Sequence, residues 1–121
     1  MDITSYTKEE LNCLKKSLML VNQSSEELYN LSISFDKKEL LEAEAKQKLQ
    51  VFRETCQMQK ESLSKAFSED CDNLVTNVKI FQSEVIYSLS ALLLSDNFSV
   101  DIKWTMASVI NNFANMQISI T

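Results

Sequence analysis

Glycine, proline and histidine are all missing from this 121-residue sequence, and each absence excludes something. Without glycine there is no residue that enters left-handed backbone at no steric cost, and no glycine-rich loop that could cradle a phosphate. Without proline, nothing stops a helix by removing a backbone donor. Without histidine, the side chain that most often moves protons near neutral pH is gone, and with it the Glu-x-x-His motif of di-iron bundles. Cysteine is sparse: Cys13, Cys56 and Cys71 are odd in number, far apart and free of Cys-x-x-Cys spacing. They are expected to be reduced thiols of a cytosol-like compartment rather than zinc ligands or a disulfide framework.

Long apolar runs are lacking too. The greasiest stretch, Val85 to Leu94, is bounded by Glu84 and Asp96 and is too short to cross a bilayer, so no stable transmembrane insertion is expected. The N-terminal residues Met1-Asp2-Ile3-Thr4-Ser5 begin acidic and carry no basic stretch followed by an apolar core. No secretion signal is read there, and the expected location is cytoplasmic. Positive charge is in deficit: the net charge of −5 opposes attraction to nucleic acid or to an anionic membrane surface.

What the sequence does have is period. From Leu11, the residues Leu14, Leu18, Val21, Ser25, Leu28, Ser32 and Phe35 follow at alternating steps of three and four, one face of a long helix. Its start is marked by Thr7 and Glu10 at capping-box positions, with Tyr6 and Leu11 as a hydrophobic staple. Ser24 and Glu27 form a second capping pair, but the register runs through them and one continuous helix is expected. Asp36 with Glu39 marks the start of a second helix, whose inner side carries Leu41, Ala45, Leu49, Phe52, Cys56, Leu63 and Phe67, with Gln59 filling one step. Glu42 and Lys46 belong to its water-facing side, where Glu-Lys pairs recur four residues apart.

The polar run from Ser68 to Asn73 interrupts the pattern. Beyond it, Leu74, Val78, Phe81, Val85, Leu89 and Leu92 form one stripe, while Val75, Ile80, Ile86, Tyr87, Leu93 and Leu94 widen the apolar surface around the helix. Ser95-Asp96-Asn97 ends it. Asp96 or Ser99 then caps a last helix carrying Ile102, Met106, Val109, Ile110, Phe113 and Met116. The expected fold is therefore all-α: one domain over residues 1–121, an antiparallel bundle of about four helices, two of them long and coiled-coil-like.

Function is read by elimination and from one asymmetry. The carboxylates Glu39, Glu42 and Glu44 have lysine neighbours, which makes them a salt-bridged outer face rather than an acid-base or metal constellation. No enzyme activity, cofactor or metal is expected. Asp70 to Thr121 holds seven charged residues, against fourteen from Asp36 to Glu69. The low-charge half is expected to carry a protein-binding surface, with Tyr87, Leu93, Phe98 and Trp104 as its contact residues. The chain is accordingly read as a non-catalytic interaction module, a subunit, adaptor or regulatory inhibitor, whose partner is another protein or a second copy of itself in a homodimer. The alternative is a carrier of a lipid or other apolar ligand among Phe81, Ile86, Leu89, Leu92, Leu93, Met106, Val109, Phe113 and Met116.

Overall fold

A computed structural model describes the backbone of residues 6–67 and 73–120. Among these residues the chain forms four α-helices and no strand: α1 (Lys8–Asp36), α2 (Glu42–Ala66), α3 (Asn73–Leu93) and α4 (Phe98–Ile120). The all-helical class expected from the missing glycine and proline is the one observed. The expected total of about four helices extends over residues 1–5 and 68–72, which lie outside the described residues.

α1 begins where the capping signals converge. The Glu10 N–H donates to Thr7 Oγ1 at 3.1 Å, and the Thr7 N–H donates to Glu10 Oε1 at 2.8 Å, a complete capping box. The helix runs unbroken to Asp36, so the capping pair at Ser24 and Glu27 does not divide it. It closes in a Schellman motif. The Lys38 N–H donates to the Phe35 carbonyl at 3.1 Å, and the Glu39 N–H to the Ser34 carbonyl at 2.9 Å. Lys38 takes the left-handed position, φ 61°, that glycine usually fills.

The start of α2 differs from the one read from sequence. Asp36 is the last residue of α1 and does not cap α2. The N-cap is Leu41, whose side chain makes no capping bond; only the reverse half of a capping box forms, from the Leu41 N–H to Glu44 Oε1 at 3.2 Å. Leu41 is exposed rather than inward, because a cap residue lies outside the helical register that would aim it at the core.

Contacts at the helix ends define the arrangement. Tyr6, before α1, meets Phe67, after α2, edge to face with ring centroids 5.4 Å apart. Phe35 near the end of α1 meets Phe98 at the start of α4 in the same way at 5.6 Å. The Lys79 ammonium donates to the Phe67 carbonyl at 2.9 Å, tying the start of α3 to the end of α2. Start meets end in each pair, so α1 packs antiparallel to α2 and α4, and α2 antiparallel to α3. The strongest pairings are α1 with α2, α2 with α3, α3 with α4 and α4 with α1, a closed ring.

Inside the ring, α2 contributes Ala45, Leu49, Phe52, Cys56 and Leu63, as its spacing predicts. α3 contributes Val75, Val78, Phe81, Val85, Leu89 and Leu92, and α4 contributes Phe98, Ile102, Met106 and Val109. α1 is different. Its fully buried side chains among the described residues are Leu14, Ser17, Ser24 and Leu28, while Leu18 and Ser32 are only half-buried. The buried step of its seam lies three residues after Leu14, not four. Glu42 is exposed as expected, whereas Lys46 is half-buried: its ammonium sits 5.2 Å from the centroid of the Phe98 ring and 3.6 Å from Glu42 Oε2, so it covers the core's edge while keeping contact with water.

Candidate interaction surface on the third and fourth helices

The outer side of the α3–α4 pair follows from the same heptads that build the core. Val78, Val85 and Leu92 recur every seven residues on the buried side of α3, and two residues on from each stand Ile80, Tyr87 and Leu94. A step of two on a helix turns through about 200°, so this second ladder faces away from the core. All three of its members are exposed, Tyr87 at 78% and Leu94 at 84%. On α4, Val100 and Trp104 stand two residues before the buried Ile102 and Met106 and are exposed likewise, Trp104 at 77%.

Between the two helices runs an open groove of about 500 Å³ lined by Ser83, Glu84, Tyr87, Ser88, Ser108 and Asn112. Its small hydroxyl-bearing floor leaves room for a side chain, and Tyr87 forms one wall. Trp104, exposed on α4, lies one helical turn from Ser108 of this groove. A second open groove of about 610 Å³, between the end of α1 and the start of α4, is lined by Phe35, Asp36, Ile102 and Lys103 among others.

Of the four contact residues read from sequence, the structure leaves two in place. Tyr87 and Trp104 are exposed on this surface. Phe98 is not available: it is 3% exposed, held edge-on by Phe35 and covered by the Lys46 ammonium. Leu93 is half-buried against the core, one residue short of the outward ladder that its neighbour Leu94 completes. The physical cause is phase. A one-residue step turns the side chain by about 100°, and the apolar run Leu92-Leu93-Leu94 gives no hint of which member faces out. The signal that finds Leu94 is its seven-residue spacing from Tyr87 and Ile80.

Charge is sparse on this surface, and part of it is paired elsewhere. Asp101 accepts a hydrogen bond from the Ser95 hydroxyl, which itself accepts from the Asn97 N–H at 3.0 Å. That turn replaces the cap expected from Asp96 or Ser99; the first helical bonds of α4 go to the Asn97 carbonyl. Lys103 pairs with Asp36 of α1 at 3.5 Å. Glu84, in the groove, is the acid closest to Tyr87 along α3.

The two described thiols, Cys13 and Cys56, are poor nucleophiles. Burial pushes the Cys56 thiol up to about 12, and burial also raises Cys13, opposed by the nearby Lys16 charge. Cys71 lies outside the described residues. Among the described residues, no three Cys, Asp or Glu side chains converge as a metal site, and no helix is long and apolar enough to cross a membrane. Of the side chains that the sequence offers for a ligand cavity, Phe81, Leu89, Leu92, Met106 and Val109 are packed into the core, Ile86 and Leu93 are partly buried against it, and those of Phe113 and Met116 lie outside the described residues. Comparison with known proteins finds no matching family model, no matching curated protein and no matching solved structure.

Proposed function

We propose that this chain is a non-catalytic protein-binding module, a subunit, adaptor or regulatory inhibitor, that buries the outer face of α3–α4 against another protein. The observation that carries the reading is the exposure of Tyr87 and Trp104 together on a nearly uncharged helical surface. Large aromatic side chains of this kind anchor protein interfaces when they enter a partner's pocket and lose their water. Ile80, Leu94 and Val100 add apolar area around them, and Glu84 supplies a polar edge. The four helices of the described residues form an antiparallel bundle, with α1 and α2 proposed as its coiled-coil-like pair, and this scaffold would hold the face rigid so that little order is lost on binding.

The test is co-purification of the chain from its native source followed by mass spectrometry, with the wild type compared with the double variant Tyr87→Ala/Trp104→Ala. A partner captured by the wild type and lost by the variant, with circular dichroism unchanged, is the expected result. Equal capture by both would move the interface off this face.

A further inference from the structure

The turn between α1 and α2 leaves the heptad phase unbroken. Leu14 and Leu28 on α1 and Leu49, Cys56 and Leu63 on α2 are all buried and all separated by multiples of seven. Three residues on from this series, Ser17 and Ser24 of α1 and Ala45 and Phe52 of α2 are buried as well. A hairpin needs no such agreement, since a turn of arbitrary length sets the second helix in any of seven phases. Here the two helices already share one seam, as a single straight coiled-coil strand would.

The turn itself is made of residues that prefer helix. Lys37-Lys38-Glu39-Leu40-Leu41 contains no glycine, proline or β-branched residue. It is held bent by Lys38 in the left-handed region at φ 61°, and it ends in an N-cap without a capping side chain. Both features disfavour the bend and vanish if the segment straightens. α1 buries little apolar surface for its length: two of its four buried described side chains are serines, and the Ser17 hydroxyl has no partner among the described residues, which favours its release.

We propose that Lys37–Leu41 is a hinge, and that two copies of this chain exchange α1 across it. In each copy α1 and α2 join into one helix from Lys8 to Ala66, about 90 Å long, and each α1 packs in the place left by its counterpart. The exchanged dimer keeps the closed chain's core contacts and adds two straightened hinges. Charge supports a second copy as the occupant. Lys38 and Glu42 are the only charged residues on the shared seam from Leu14 to Ala66. In an antiparallel pair with its two-fold axis at Leu40, Lys38 of each copy lies opposite Glu42 of the other. This inference does not depend on the α3–α4 face.

The experiment is size-exclusion chromatography coupled to small-angle X-ray scattering, on the wild type refolded at high concentration and on Lys38→Gly treated identically. The expected result is a wild-type dimer with a maximum dimension of about 90 Å, and an association constant lowered at least about tenfold in Lys38→Gly, which relieves the bend and weakens the straight helix. A wild type that stays monomeric overturns the exchange. So does a compact dimer of about 50 Å, the length of one bundle, which would instead support self-association through an outer face. A long dimer indifferent to Lys38→Gly overturns the hinge assignment.

Discussion

Lys38 occupies backbone geometry that costs a residue with a β-carbon about 1–2 kcal/mol, and it does so because the sequence offers no glycine for the Schellman position. Lys38→Gly is therefore expected to raise the unfolding free energy of the monomer by about 1 kcal/mol, read from urea melts. Three residues on, Leu41→Ser should add about 1 kcal/mol by completing the capping box that Glu44 has half made. No gain from either variant would show that the turn is not built as described. Cys56 gives a pH signature. Its thiol value of about 12 lies above the ordinary 9.0, because burial disfavours the thiolate. The folded state thus favours the neutral form: that stability is fully present below about pH 9 and is lost as pH rises through about 12. Urea melts at about pH 8 and about pH 11 should show wild type losing more stability than Cys56→Ala; parallel losses would mean the thiol is not shielded.

At the scale of elements, the inward faces of α2, α3 and α4 are decided by period, and single substitutions should separate inward from outward. Phe98→Ala is expected to cost about 3–5 kcal/mol and Phe52→Ala about 3. Trp104→Ala, on the outer side of the same helix as Phe98, should stay within about 0.5. Equal losses for Phe98→Ala and Trp104→Ala would refute the phase assigned to α4. α3 carries a misfit: Gln82 is 2% exposed, and neither its amide oxygen nor its amide nitrogen has a partner among the described residues. Replacing it by the similarly shaped methionine should stabilise the chain by about 1–3 kcal/mol, since an unmet amide is removed and apolar area gained. A destabilised Gln82→Met would show that the amide is satisfied in solution.

For the whole molecule, the feature with the most consequence is the uneven placement of charge: a salt-bridged α2 on one side and a nearly uncharged α3–α4 face on another. A net charge of −5 keeps copies apart at long range, while the sparsely charged α3–α4 face is where close approach meets least repulsion. Trp104 reports on that face directly, because it is the sole tryptophan and is exposed. Its emission in the free chain should match that of solvated indole and be quenched by iodide and acrylamide. Binding at this face should shift the emission to the blue and suppress quenching. A tryptophan shielded in the free monomer would contradict the exposed position given to it here.

The helical class, the capping box at Thr7, the continuity of α1 and the buried stripe of α2 were legible in the sequence, because each depends on residues within a few turns of one another. Period and capping are local physics, and the absence of glycine and proline removed the competing local structures. Three things needed the tertiary structure. Sequence alone makes Asp36 a cap, whereas Asp36 ends α1 and the chain bends two residues later through Lys38, because the Schellman bonds to Ser34 and Phe35 satisfy the helix end. Phe98 and Trp104 look alike as exposed aromatics near a helix start, and only the pairing of α4 with α1 and α2 draws the first under Phe35 and Lys46 while leaving the second in water. Leu93 and Leu94 exchange roles by one step of helical phase, which a run of leucines leaves open and the packing of α3 against its neighbours closes. Sequence determined what each helix is; the ring of helices decided which of its side chains another molecule can reach.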